Sequence, residues 1–201
     1  MSHTTHLLAP RTSHDERGFS LLEVLVGIVV LSFGLLGAVG LQAYGLQANR
    51  EARLQSAGVQ LARELAELMR ANKDVAIKAA ATDNPYLIDY PSHPFSTTVN
   101  CFTAACGNTQ DVARWDVAAW LEHLDDPTSG LPGARVVVCF DSTPFDAAGM
   151  PQWECSNTGG LVVIKIGWTR GSTDRSAAGT TALERATRPG VVLPVTAGSS
   201  T

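Results

Sequence analysis

Between Phe19 and Leu41 the chain runs for 23 residues with a single charge, Glu23. A helix of that length, at about 1.5 Å per residue, spans the roughly 30 Å of a bilayer's hydrocarbon core. The run therefore predicts one helix that can cross a membrane. Its carboxylate is expensive there: a charged group at the bilayer centre costs on the order of 3 kcal/mol on insertion scales. Two readings of Glu23 follow. Near the start of the helix it can sit among head groups and favour the positive end of the dipole, or it can have a specific partner.

The flanks of the run narrow the choice of segment type. Met1 to Gly18 is polar, with His3, His6, Arg11, His14, Asp15, Glu16 and Arg17, and it ends on a glycine. A secretory signal peptide has the opposite order, its apolar stretch preceding a small-residue cleavage site. Here no such site follows the run, so any cleavage falls before it. Basic residues do not decide orientation, because Arg11 and Arg17 precede the run and Arg50 and Arg53 follow it.

The cysteines decide it instead. Cys101, Cys106, Cys139 and Cys155 all follow the apolar run, and an even number fits two disulfides outside the cytoplasm. Closeness along the chain favours Cys101 with Cys106 and Cys139 with Cys155. A four-cysteine zinc site is the rival, but the Cys139 to Cys155 spacing matches no usual zinc knuckle. A formal charge of -4, from 15 basic and 19 acidic residues, lacks the basic footprint of a nucleic-acid binder.

The stretch Arg17-Gly18-Phe19-Ser20-Leu21-Leu22-Glu23-Val24 resembles the class III signal of type IV prepilins and pseudopilins. That family has a basic residue and glycine, then phenylalanine, then an apolar run with glutamate fifth from the phenylalanine. The resemblance implies that a prepilin peptidase cuts between Gly18 and Phe19 and that the new amino group of Phe19 is N-methylated. It also implies that Glu23 pairs with the Phe19 amine of a neighbouring subunit. A buried charge used to set register is among the better-attested uses of such pairs. More narrowly, Leu22 to Val26, Leu35-Leu36-Gly37, Leu41-Gln42 and Leu65 to Asn72 resemble minor pilins of the PilV type. That family implies a subunit that helps initiate pilus assembly at the inner membrane and sits at or near the pilus tip, supporting adhesion or twitching motility. Its expected partners are other minor and major pilins, the prepilin peptidase, the inner-membrane assembly platform and a large tip adhesin. The expected location is a single inner-membrane pass with a periplasmic head, then the pilus at the cell surface. The alternatives are a minor pseudopilin of a type II secretion system and a membrane-tethered exported binding domain. Many major pilins carry a proline partway along this helix, where this chain has Gly40 among other glycines.

The expected fold is α+β and pilin-like: a long N-terminal helix, transmembrane and then amphipathic, packed against a small antiparallel sheet. Residues 1–18 form the leader, 19–45 the hydrophobic assembly helix, 46–73 its amphipathic half and 74–201 the exported head. Leu54, Ala57, Leu61, Leu65 and Leu68 recur at helical spacing and mark the covered side of that second half. The glycines at 27, 34, 37, 40 and 45 each cost roughly 1 kcal/mol in a helix interior, which close helix packing can offset. Asn84-Pro85, Tyr90-Pro91 and His93-Pro94 predict an irregular connector from Asp74 to about Asn108. Gln110 to Leu124 reads as a helix burying Ala113, Val117, Trp120, Leu121 and Leu124, with Trp115 and Trp120 as packing residues. Leu131-Pro132-Gly133 is turn chemistry. Ala134–Phe140 and Leu161–Trp168 read as buried strands, with Gln152–Cys155 between them and Val191–Val195 as an edge strand. Ser172 to Arg188 is small and polar and is expected to be mobile.

No catalytic motif appears: there is no Ser-centred elbow, phosphate loop, H-E-x-x-H or metal-ligand spacing. The expectation is a non-enzymatic chain without cofactor or metal. His93 and His123 read as surface residues. Asp125, Asp126, Asp141 and Asp146 offer oxygen ligands for calcium, though a plain acidic turn explains them better.

Overall fold

The computed structural model describes residues 20–128, 130–172, 178–179 and 183–196. Two compact units divide the chain, residues 1–47 and 48–201. Helix α1, Leu21–Ala71, begins in the first and ends in the second.

In the first unit the described residues from Leu21 onward are helical, and every large apolar side chain among them faces outward. Glycines 27, 34, 37, 40 and 45 have nothing within 4 Å of where a Cβ would stand. Ser32 returns its hydroxyl to the Ile28 carbonyl at 2.7 Å, a local bond that satisfies the side chain without leaving the helix.

In the second unit the end of α1 is a core element. Gly58, Leu61, Ala62, Leu65, Ala66 and Met69 are buried, at the three- and four-residue spacing of one helix face. This stripe is rotated from the leucine-led one expected from sequence: Leu54, Ala57 and Leu68 lie at its margin, and the small residues Gly58, Ala62 and Ala66 lie at its centre. The physical reason is close approach. A Cβ at Gly58 would stand 2.9 Å from Cζ3 of Trp168 and 3.3 Å from Val191.

After Ala71 a short helix α2, Lys73–Ala76, leads into the connector. Contrary to the sequence expectation, this connector contributes a strand, β1, Asp89–Tyr90, just before a cis Tyr90–Pro91 bond. Helix α3, Thr109–Leu124, is capped by Asn108, whose side-chain oxygen accepts from Asp111 N–H at 2.8 Å. It buries the five residues its pattern predicts. Trp120 donates its indole N–H to the Leu61 carbonyl at 3.0 Å, tying α3 to α1.

Strands β2, Arg135–Phe140, β3, Val162–Gly167, and β6, Val191–Val195, join β1 in a four-stranded antiparallel sheet of order β1-β2-β3-β6. Alternation sends Val136, Val138, Ile164 and Ile166 to the face packed with the end of α1 and with α3. The unit is therefore α+β, with its core between the helices and one face of the sheet. The turn into β2 needs Gly133, at φ +55, where a Cβ would meet the Thr169 hydroxyl at 2.3 Å. A separate ribbon pairs β4, Arg170–Gly171, with β5, Leu183–Glu184. β4 precedes the Ser172 to Arg188 stretch expected to be mobile, and β5 falls within it.

Candidate functional site

Two features carry the candidate chemistry, one in each unit. The first is the apolar stem. Gly18 and Phe19, the expected cleavage and methylation residues, lie outside the described residues. Glu23 occupies the first turn of α1, where its backbone N–H donates to the Ser20 carbonyl at 2.9 Å. Its side chain is exposed, among Leu21, Leu22, Val24 and Leu25, which are each at least half exposed. Such a surface in a single chain calls for lipid or other protein. The helix is long and apolar enough to cross a membrane, by length and composition.

The second feature covers the other face of the sheet. Cys139 is joined to Cys155 across a Cα separation of 6.3 Å, and Cys101 to Cys106 across 5.0 Å. The first bridge fastens the segment 151–156 over β2 and β3. That segment is not the regular strand expected from Gln152 to Cys155. Pro151 makes an isolated bridge to Phe145, and the carbonyls of Trp153 and Glu154 turn inward instead. They accept from Lys165 Nζ at 3.5 Å and 2.6 Å.

Lys165 stands in the middle of β3 with no exposed side-chain surface, and Asp141 is equally covered. Nζ lies 2.6 Å from Asp141 Oδ2. That contact is an ion pair and not an aligned hydrogen bond, since Oδ2 makes none of good geometry. The other carboxylate oxygen accepts from the N–H groups of Thr143 at 2.9 Å and Ser156 at 3.2 Å. Burial alone would raise the Asp141 pKa. The Lys165 ammonium and these N–H donors outweigh it and hold the carboxyl below its ordinary range.

Trp153 closes this face. Its indole N–H donates to the Ala186 carbonyl at 3.3 Å, and the Arg135 guanidinium stacks 4.3 Å from its ring. Only glycine fits beneath it, because a Cβ at Gly167 would stand 2.8 Å from the Trp153 ring.

The four aspartates weighed for calcium are not gathered together. Asp125 accepts from the Tyr90 hydroxyl, Asp146 pairs with Arg188 at 2.7 Å, Asp126 folds back on Thr128, and Asp141 belongs to Lys165. Among the described residues one cluster has metal-ligand types in reach of each other, Cys139, Asp141 and Cys155, and its two sulfurs are bonded to each other. His93 lies 3.6 Å from Asp89 and His123 3.2 Å from Glu64, both at the surface.

Comparison with known families agrees with the stem. Residues 13–39 match the prokaryotic N-terminal methylation motif, and residues 40–118 match the Tt1218-like type IV pilins. Over residues 40–118 the chain is similar to type IV pilins. A pilin match describes a structural subunit of a pilus or pseudopilus, and a long helix ending beneath a small antiparallel sheet is consistent with the pilin fold. No curated protein and no solved structure matches the chain.

Sequence reasoning missed the Lys165–Asp141 pair. The one available signal was a lysine in the middle of Leu-Val-Val-Ile-Lys-Ile, a charge where both neighbours are core aliphatics.

Proposed function

We propose that the chain is a minor pilin that helps initiate type IV pilus assembly at the inner membrane and sits at or near the tip. The observation that carries this reading is the exposed apolar stem with its solitary carboxylate, Glu23, inside the stretch that matches the methylation motif. In this reading the leader ends at Gly18, prepilin peptidase frees Phe19, and the new amine is methylated. The stem, residues 19–45, then leaves lipid for the stems of neighbouring pilins, where small residues allow close packing. Glu23 answers the Phe19 amine of the next subunit, which offsets the cost of its charge and fixes the stagger between subunits. Residues 46–73 support the head, residues 74–201, on the periplasmic side, where both disulfides are stable. Its partners are other pilins, the assembly platform and a large tip adhesin.

Amino-terminal sequencing and intact mass of the subunit from cells that hold the peptidase test the proposal. The expected result is a methylated Phe19 amino terminus, with the protein recovered in sheared pili at low abundance. An intact Met1 to Gly18 leader would overturn the filament reading. A processed subunit that co-purifies with secretion machinery and not with pili would replace the pilus with a type II pseudopilus.

A further inference from the structure

Strand β2 has a partner on its β1 side for only part of its length. Backbone groups of an antiparallel strand point alternately to its two sides. Val138 N–H donates to the Ile88 carbonyl at 2.8 Å on the β1 side, and Asp141 N–H donates to the Leu161 carbonyl at 3.1 Å on the β3 side. By that alternation the N–H and C=O of Phe140 point to the β1 side. Among the described residues nothing meets them there: β1 pairs through Asp89 with Val137 and through Tyr90 with Val136. The chain before it turns away because Tyr86 is fully buried, its hydroxyl donating to the Leu68 carbonyl at 3.2 Å. No described residue hydrogen-bonds the Phe140 backbone on that side. Such an open edge is a template for another strand.

A groove of about 920 Å³ runs beside this edge. Leu87 and Phe95 give it apolar walls, and Asp89, Arg135 and Glu154 give it charge. The N–H and C=O of Phe140 put a donor and an acceptor side by side on this edge, and an extended peptide carries the complement of both at every second residue. The open edge and the mixture of apolar and charged walls describe the same guest.

We propose that the groove receives an extended segment of another protein, which adds as a strand at Phe140 and runs on past Asp89 to Arg135. Its side chains alternate apolar and polar, with an acid facing Arg135 and a base facing Asp89 and Glu154, so charge as well as backbone is matched. A second copy of this chain fits less well. Its longer edge strand, β6, reads Val-Val-Leu-Pro-Val, with no charge for either residue and a proline that cannot donate. The inference stands on the second unit alone and does not depend on the assembly reading above.

Amide hydrogen exchange of the full chain in detergent micelles tests it, with acetyl-Thr-Lys-Val-Thr-Val-Glu-amide as the probe. Saturating peptide is expected to slow exchange at Phe140 by about tenfold or more. An analogue N-methylated at alternate residues keeps the side chains but loses backbone donors, and is expected to give no protection. Equal protection by both peptides, or none by the first at millimolar concentration, overturns the proposal. Protection that grows with protein concentration in the absence of peptide assigns the groove to a second copy and overturns the choice of partner.

Discussion

Lys165 Nζ and Asp141 Oδ2 lie 2.6 Å apart with neither side chain exposed to solvent. Burying two charges is costly, and removing one partner strands the other. Lys165→Met is therefore expected to destabilise the second unit by about 3–5 kcal/mol, because it leaves an unpaired carboxylate inside. The double variant Lys165→Met/Asp141→Asn is expected to recover most of that loss, since the amide oxygen still accepts from Thr143 and Ser156. Urea denaturation of both variants checks the prediction; equal losses would show that the pair is not coupled.

The same pair sets an acid limit. The Asp141 carboxyl is held below its ordinary range in the folded chain, so the folded state binds its proton less readily than the unfolded state. Its stabilisation is present at neutral pH and is lost as pH falls below about 4, the ordinary carboxylate value, toward the lower folded pKa. Stability measured against pH is expected to drop in that acid window in the natural chain. In the double variant the drop is expected to be smaller.

Opening the longer disulfide is expected to cost more than opening the shorter one. Cys139 and Cys155 are 16 residues apart and Cys101 and Cys106 are 5 apart. By loop-closure entropy the Cys139→Ser/Cys155→Ser variant loses about 3 kcal/mol, and it also loosens the segment whose carbonyls hold Lys165. Thermal unfolding is expected to show a larger fall in Tm than for Cys101→Ser/Cys106→Ser.

Gly58 admits no side chain. A Cβ there already falls 2.9 Å from the ring of Trp168, which is 1% exposed and has no room to move aside. Gly58→Leu improves helix propensity by nearly 1 kcal/mol, yet the overpacking costs about 1–3 kcal/mol or more. The net expectation is a less stable unit, read by denaturant midpoint with unchanged slope.

For Glu23 the expected defect is in assembly and not in folding. Glu23→Ala removes the charge from the stem, so membrane insertion is expected to remain or improve, while incorporation into filaments falls. Fractionation followed by quantification in sheared pili separates the two. Normal recovery in pili at normal subunit abundance would remove Glu23 from the proposed contact.

Much of the fold is legible in the sequence because its longer elements repeat their pattern. The face of α3 from Ala113 to Leu124 and the valine-rich strands β2, β3 and β6 each present enough residues for a period to appear. A two-residue strand such as β1 has no period and exists only because β2 lines it up. Along α1 the leucine spacing marks Leu61 and Leu65 in the buried stripe and Leu54, Ala57 and Leu68 at its margin, but hydrophobicity gives no sign of Gly58, whose place is set by the packing distance to Trp168. Lys165 is invisible to pattern, because its acceptors come from Asp141 and from the carbonyls of Trp153 and Glu154, each more than ten residues away. For the candidate site, Glu23 and the cysteines announce themselves by residue type, whereas the open edge at Phe140 depends on where Tyr86 goes.

The outward-facing leucines and valines from Leu21 to Leu46 leave the stem no resting place in bulk water. Under the proposed assembly, whatever receives it must be within reach while lipid still surrounds it. Delivery would then be a handover at the bilayer and not a diffusive search, with a rate set by how often a receptive neighbour stands alongside.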